Sequence, residues 1–136
     1  MSLNPSDEEI KTILSSAKTI AVVGCSPKPD RTSHKITAYL ISQGYEVFPI
    51  HPQADVILGQ AVYKSLDDIP VSVDLVNVFR KPEFTPPIAQ AAADIGAKTL
   101  WLQLGISNDE ARHIAEENDM HCVMDACILV KHQSLI

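Results

Sequence analysis

Basic and hydroxyl-bearing side chains follow a lone glycine in the segment VVGCSPKPDRTSHKI, residues 22–36. Lys28, Arg31 and Lys35 are positively charged, and a helix is predicted to begin near Ser33, which would serve as its N-cap. A helix N-terminus offers free N–H groups and partial positive charge, so this segment suits an anion. It contains neither G-x-G-x-x-G nor G-K-[ST], the patterns typical of dinucleotide and nucleoside triphosphate sites.

Apolar, β-branched runs alternate with amphipathic segments along the chain. Strands are predicted at 18–24, 45–50, 60–63, 74–80, 98–103 and 121–125, with the third at an edge. Helices are predicted at 6–17, 33–43, 86–95 and 107–118, with a helical turn at 65–69 capped by Ser65. Ser6 with Glu9, and Ser107 with Glu110, have the spacing of capping boxes. This alternation predicts an α/β fold with a doubly wound, mostly parallel sheet of about six strands, helices on both faces and strand order 3-2-1-4-5-6.

The predicted strand order brings two basic loops together. In this order the sheet changes its direction of growth between strands 1 and 4, and ligands bind outside the carboxyl ends of the strands at that point. The loop after strand 4 holds Arg80 and Lys81. With Lys28, Arg31 and Lys35, five of the chain's 11 Lys and Arg residues should therefore line one crevice of a protein with net charge −6.

Bulk properties exclude several classes of protein. A length of 136 residues predicts one domain, and the net charge of −6 argues against broad nucleic-acid binding. No apolar run is long enough to span a bilayer, and no signal peptide is recognisable. The three cysteines lack metal-type spacing, which indicates reduced thiols in a cytoplasm. Residues 1–3 are a candidate remnant of cloning ahead of the helix within 1–17.

A dinucleotide would be the usual ligand of such a crevice, but two features disfavour it. The first loop lacks the second and third glycines of the dinucleotide pattern. The residues after strand 2 are Ile50, His51 and Pro52, where an NAD site normally places an acidic residue and an NADP site an arginine.

Five blocks of the sequence resemble the small stand-alone bacterial CoA-binding proteins, relatives of the N-terminal CoA-binding domain of the succinyl-CoA synthetase alpha subunit. These blocks are VVGCSPKPDRTSHKI, GYEVFPIHP, VNVFRKPE, GAKTLWLQLGI and CVMDACI, and the resemblance covers about residues 15–132. It implies one Rossmann-like, nucleotide-binding domain over residues 1–136 that binds coenzyme A (CoA). The implied contacts are Gly24, Cys25, Ser26, Pro27, Arg31 and Ser33 in the first loop; Pro49 and His51; Phe79, Arg80 and Lys81; and Gln103, Leu104 and Gly105. Lys28 and His34 flank the same crevice and complete the predicted site.

The sequence departs from the family pattern at two positions. Cys25 stands where alanine is usual, and Ala126 where arginine is usual, so any role of that arginine is lost. Cys25 follows Gly24 near a helix N-terminus with basic neighbours, an environment that lowers the pKa of a thiol. It is either a reactive thiol that could form a mixed disulfide with CoA or, as we favour, a small residue in place of alanine. The chain has no room for the synthetase's phosphohistidine partner domain, so the resemblance implies binding and not ligation.

No catalytic or metal-binding constellation is recognisable. His34 and His51 flank the crevice as general-base candidates, but no partner carboxylate is evident. Pro49, Val78 and Phe79 are expected to help line an apolar slot for adenine. The leading interpretation is a non-catalytic CoA or acyl-CoA carrier, sensor or regulatory module. The alternatives are an NAD(P)-dependent oxidoreductase or a small CoA-dependent transferase, and an interaction protein with a degenerate pocket. Apolar helix faces leave room for a homodimer or an unidentified protein partner.

Overall fold

Five parallel strands form the central sheet of the computed structural model, which describes residues 4–136. The candidate cloning remnant at residues 1–3 lies outside the described residues. The strands are β1 (Thr19–Val23), β2 (Glu46–Ile50), β5 (Leu75–Val78), β6 (Thr99–Leu102) and β7 (His121–Val123), in the order β2-β1-β5-β6-β7. A separate antiparallel hairpin contains β3 (Val56–Ile57) and β4 (Gln60–Ala61). The order predicted for strands 2, 1, 4, 5 and 6 is confirmed.

Five helices cover both faces of the sheet within the described residues. They are α1 (Asp7–Ser16), α2 (Thr32–Ser42), α3 (Thr85–Asp94), α4 (Asp109–Glu117) and α5 (Ile128–Leu135), with short 3₁₀ turns at Leu66–Asp68 and Pro82–Phe84. Helices α3 and α4 pack with Val76, Leu100 and neighbouring side chains of one face. Helices α1, α2 and α5 pack on the other face, around Trp101 and Leu75. The doubly wound α/β fold is therefore confirmed.

The third predicted strand, 60–63, is largely wrong. Gln60 and Ala61 pair with the preceding segment, because Leu58 (φ 53°) and Gly59 (φ 74°) form a two-residue turn of the kind that closes a hairpin. Tyr63 alone reaches the sheet, through one parallel bridge to Ile50. The predicted edge strand beside β2 is thus reduced to one residue.

Helix boundaries also differ from the predictions. Helix α2 begins after Arg31, and no side chain caps it, so Ser33 is not its N-cap. Helix α4 is capped by Asn108, whose side chain accepts the Ala111 N–H, and not by Ser107. The capping interaction of Ser6 with the Glu9 N–H is confirmed. Helix α5 was not predicted.

The first described residues are attached to the carboxyl end of β7. The Asn4 side-chain amide donates to the Met124 carbonyl oxygen and accepts the Met124 N–H, each at 2.8 Å. Helix α1 then runs back towards the start of β1. No helix in residues 4–136 is both long enough and apolar enough to cross a membrane.

Candidate functional site

Gly24 at the end of β1 lies directly against the segment that follows β5. An ideal Cβ on Gly24 would lie 2.7 Å from the Phe79 carbonyl oxygen and 3.2 Å from the Arg80 Cδ. The Phe79 N–H also donates to the Val23 carbonyl oxygen at 2.9 Å. The two basic loops are therefore neighbours at the carboxyl edge of the sheet, where the strand order places the switch point.

The basic residues of these loops are exposed and unneutralised. Lys28, Arg31, Lys35, Arg80 and Lys81 are all exposed, and none forms an ion pair with another residue in 4–136. The Arg80 guanidinium lies over the Phe84 ring, 5.0 Å from its centroid. Together with the carboxylates of Asp30 and Glu83, these five cations leave the two loops with a positive net charge on an otherwise acidic protein.

Internal hydrogen bonds shape the first loop. The Ser33 hydroxyl is buried and accepts the Ser26 N–H at 3.0 Å. The Ser26 hydroxyl in turn accepts the Lys28 N–H at 3.1 Å, and the Lys28 carbonyl accepts the Arg31 N–H. Pro27 is exposed. Ser33 therefore supports the loop from within, a role that the predicted capping position did not reveal.

Cys25 is buried, which favours the small core residue over the alternative of a reactive thiol. Its side chain is fully inaccessible and packs in the core beneath α2. Burial raises the pKa of the thiol, although contact with the Thr37 hydroxyl, 3.4 Å from Sγ, partly opposes this. The desolvation of a thiolate outweighs the nearby helix N-terminus and basic side chains. Cys25 thus acts as the small core residue that the alanine comparison suggested.

Pro49 and His51, predicted at the end of β2, both have structural partners. Pro49 is buried in β2, and its carbonyl accepts the Tyr63 N–H. The Nδ1 atom of His51 accepts the N–H groups of Gln53 and Ala54, at 3.1 and 2.9 Å. This leaves only Nε2 of His51 for a ligand. His34 is half-buried on the first turn of α2.

The loop after β6 is a tight, hydrogen-bonded turn. The Ile106 N–H donates to the Gln103 carbonyl at 2.9 Å, and Gly105 has φ 83°, the signature of a type II turn. The Asp125 carboxylate accepts the Gly105 N–H at 2.7 Å. The buried Gln103 side chain accepts the Ile128 N–H through Oε1, at 2.9 Å. Leu104, between the two fixed residues, is 69% exposed.

An apolar cavity of about 240 Å³ opens beside the basic loops. Apolar side chains from β1, β2, the 3₁₀ turn at Leu66–Asp68 and α3 line this cavity together with two cations. The lining residues are Val23, Ile50, Lys64, Ser65, Leu66, Arg80, Pro87, Ile88 and Ala91. The expected slot from Pro49, Val78 and Phe79 is wrong, because Pro49 and Val78 are covered within their strands and none of the three lines the cavity. Lys64, Leu66 and Ile88 were missed, since no local motif marks residues that only tertiary packing brings together.

A second cavity, also about 240 Å³, lies at the opposite edge of the sheet. Glu9 and Asp74 line it together with Lys98 and His121. Because two carboxylates outnumber its one lysine, it lacks the excess positive charge of the carboxyl edge. The carboxyl edge is therefore the stronger candidate for an anionic ligand.

Comparison with known proteins identifies a family and several relatives of this chain. A family described as "CoA binding domain" matches residues 18–133. The YneT protein of Bacillus subtilis (strain 168) is 43% identical over 129 residues, 95% of this chain and 96% of that protein. The alpha subunit of acetate–CoA ligase [ADP-forming] I from Pyrococcus furiosus is 30% identical over 89 residues, which are 61% of this chain but only 19% of the ligase subunit. A solved structure from Pyrococcus horikoshii OT3 is 37% identical, with a TM-score of 0.93 over 96% of this chain and 92% of that one.

Proposed function

The chain belongs to the family of CoA-binding domains, and on that premise we propose that it binds coenzyme A or an acyl-CoA at the carboxyl edge of its sheet. The observation that carries the proposal is the close approach of Gly24 to Phe79 and Arg80. Because of this approach, the basic loop after β1 and the basic loop after β5 can bind one ligand together, although they are more than fifty residues apart in the sequence.

The chemistry of the site matches the charge of CoA. CoA carries a diphosphate and a 3′-phosphate, and the unpaired side chains of Lys28, Arg31, Arg80 and Lys81 can complement them. Side chains that already formed ion pairs with carboxylates would have to break those ion pairs before they could bind a phosphate. Because Gly24 has no side chain, the segment after β5 can approach the end of β1 and bring Arg80 and Lys81 beside the first loop.

The neighbouring cavity suits the adenine ring. Its apolar walls, including Ile50, Leu66 and Ile88, can contact the faces of a planar base, while Lys64 and Arg80 lie at the boundary with the cationic loops. An apolar slot next to a phosphate-binding surface is the arrangement that a nucleotide requires.

The proposed role is that of a non-catalytic carrier, sensor or regulatory module. The segment that this chain matches is 19% of the P. furiosus ligase subunit, so the match does not carry the ligase reaction over to this chain. His51, a general-base candidate, has Nδ1 occupied by two backbone N–H groups. The three cysteines are free, which is compatible with a reducing compartment, and we propose a cytoplasmic location.

A thermal-shift panel tests the proposal. The ligands are CoA, acetyl-CoA, dephospho-CoA, NAD, NADP and ATP, each at several concentrations. A ligand at a hundred times its Kd stabilises the folded state by about 2.7 kcal/mol, which raises Tm by several degrees. We expect a rise with CoA and acetyl-CoA and a smaller one with dephospho-CoA, which lacks the 3′-phosphate.

The other ligands separate the alternatives. A rise with NAD or NADP alone would favour the oxidoreductase. An equal rise with ATP and CoA would show that phosphate charge, and not CoA, is recognised. No rise with any ligand would favour an interaction protein with a degenerate pocket.

A further inference from the structure

Lys64 lies on the outer side of β2 and reaches the carboxyl edge of the sheet. Its neighbour Tyr63 forms the parallel bridge to Ile50, and the Tyr63 carbonyl accepts the His51 N–H at 3.1 Å. The Lys64 ammonium donates to the Pro52 carbonyl at 3.1 Å. These contacts hold Lys64 beside the residues that follow β2, although the β3–β4 hairpin separates the two segments in the sequence.

The Lys64 ammonium retains free donors and an unpaired charge. An ammonium group has three donors, and one of them binds the Pro52 carbonyl. Lys64 is exposed and forms no ion pair within residues 4–136. Asp67 and Asp68, the acidic residues nearest to it in the sequence, do not line the cavity, and the Asp68 carboxylate accepts the Ser65 hydroxyl at 3.2 Å. The ammonium is therefore available to an anion at the cavity.

Lys64 and Arg80 line the same cavity from opposite sides. The order across the sheet is Tyr63, β2, β1 and β5, because the Tyr63 bridge lies on the side of β2 away from β1. Three strand spacings of about 4.8 Å therefore separate the backbones of Tyr63 and β5 by about 14 Å. Arg80 follows β5, and the long side chains of Lys64 and Arg80 both line the cavity. A ligand in this cavity thus has one cation on each side.

Two cations on opposite sides of an adenine cavity suit an adenosine that carries two phosphate groups. Arg80 lies beside Gly24 and the first basic loop, which the proposed function assigns to phosphate binding. In CoA the adenosine ribose carries the diphosphate on its 5′ carbon and a single phosphate on its 3′ carbon. Both groups are attached to that ribose, so both lie at the mouth of the cavity when the adenine fills it.

The residues at the end of β2 also favour a phosphorylated ribose. An NAD-binding fold normally places a carboxylate here, which accepts hydrogen bonds from the ribose hydroxyls and would repel a phosphate. Residues 50–54 contain no acidic residue. Lys64 instead supplies a cation at this place, through its contact with Pro52.

We infer that Lys64 binds the 3′-phosphate of CoA and is the residue that makes the protein prefer CoA to dephospho-CoA. The inference rests on the proposed function, because the adenine must occupy the cavity for the ribose to reach Lys64. It assigns the two phosphate groups to different parts of the site. The loops after β1 and β5 bind the diphosphate, and Lys64 binds the 3′-phosphate.

Calorimetric titrations with CoA and with dephospho-CoA test the inference. The wild type should bind CoA more tightly than dephospho-CoA. Lys64→Gln removes the charge and should weaken CoA binding roughly fivefold to tenfold, because a charge-assisted hydrogen bond is lost. Its affinity for dephospho-CoA should be nearly unchanged, since that ligand lacks the 3′-phosphate. Lys64→Arg keeps the charge and should retain most of the preference for CoA.

Two further variants are the controls. Arg31→Ala should weaken the binding of both ligands by the same factor, because both carry the diphosphate. Lys11→Ala, at an exposed position on α1, removes one positive charge elsewhere and should change neither affinity. A general loss of positive charge is thereby distinguished from the loss of a contact with the 3′-phosphate.

The outcomes separate the inference from the proposed function. If Lys64→Gln weakens both ligands by the same factor, or weakens neither, the inference fails and the proposed function stands. If the wild type binds CoA and dephospho-CoA equally tightly, the 3′-phosphate is not recognised and the inference also fails. If neither ligand binds the wild type, the proposed function fails and the inference fails with it.

Discussion

Gly24 and Phe79 approach so closely that a Cβ on residue 24 would lie 2.7 Å from the Phe79 carbonyl oxygen. Real Cβ atoms do not approach backbone oxygens so closely. Gly24 also has φ 85°, a conformation that favours glycine. Any side chain at this position would push the two basic loops apart.

The first prediction uses a second glycine as its control. Gly44→Ala should destabilise the protein by about 1–2 kcal/mol, since Gly44 has φ 94° but nothing within 4 Å of an added Cβ. Gly24→Ala should cost about 1–3 kcal/mol more, because the added Cβ also meets backbone. Urea unfolding measures both. Equal losses in the two variants would show that the loops tolerate separation.

The second prediction concerns the cationic loops. Arg31→Ala and Arg80→Ala should each weaken CoA binding roughly tenfold or more, because a hydrogen bond to a charged group contributes about 1.5–3 kcal/mol. Neither should unfold the protein, as both side chains are exposed. Lys11→Ala on α1 removes one charge elsewhere and controls for net charge. Unchanged calorimetric affinity in both arginine variants would remove these loops from the site.

The third prediction concerns thiol reactivity. Iodoacetamide followed by mass spectrometry of the folded protein should label the half-buried Cys127 first. Cys25 and Cys122 should be protected, because burial raises the pKa of both thiols, that of Cys122 to about 11. In urea all three should react. If Cys25 were labelled as fast as Cys127 in the folded protein, the Cys25 thiol would not be buried.

The fourth prediction concerns His132 on α5. Its Nδ1 lies 2.7 Å from the Tyr39 hydroxyl, and burial lowers the pKa of the imidazole below its usual 6.5. The neutral form is therefore favoured on folding. Its contribution to stability is fully present above pH 6.5 and is lost as pH falls from there towards the folded-state pKa.

His132→Gln should accordingly reduce the loss of unfolding free energy between pH 7.5 and 5.5. His113→Gln, at an exposed position paired with Glu117, is the control and should leave most of that loss in place. The measurement is urea unfolding at several pH values. An identical pH dependence in wild type and His132→Gln would assign the effect to other groups.

The fifth prediction concerns the buried amide of Asn77. It lies on β5 between Val22 and Trp101, and neither its side-chain oxygen nor its nitrogen has a hydrogen-bond partner within residues 4–136. An unsatisfied buried amide is costly, so the similarly shaped Asn77→Leu should stabilise the fold by about 1–3 kcal/mol. Urea unfolding tests this, and a clear loss of stability would show that the amide is used.

The sequence was sufficient for the sheet because its central strands are buried on both faces. Continuous, β-branched apolar runs such as Thr19–Val23 are typical of strands that are buried on both faces of a parallel sheet. The right-handedness of the crossover connections then limits the possible strand order. The edge was harder to predict. A strand at 60–63 and a hairpin across Gly59 have the same sequence pattern, and the hairpin depends on positive φ at both Leu58 and Gly59, which that pattern does not reveal.

The sequence predicted which loops meet at the candidate site better than it predicted what individual side chains do there. The strand order predicted the approach of Gly24 to Arg80, whereas the burial of Cys25 and the hydrogen bond from the Ser26 N–H to Ser33 became visible only in the structure. Asp125 was missed because its function is to hold Gly105, twenty residues away in the sequence. Its φ of 53°, which aspartate tolerates, is visible only in three dimensions.

The hydrogen bonds between Asn4 and Met124 decide where a purification tag or surface linker should be attached. They hold the first described residues at the end of β7, on the same edge as the proposed CoA site. Ile136, by contrast, borders a groove with Lys18 and Glu46, at the starts of β1 and β2. A linker at the C-terminus would therefore tether the molecule by its far end and leave the ligand edge facing the solution.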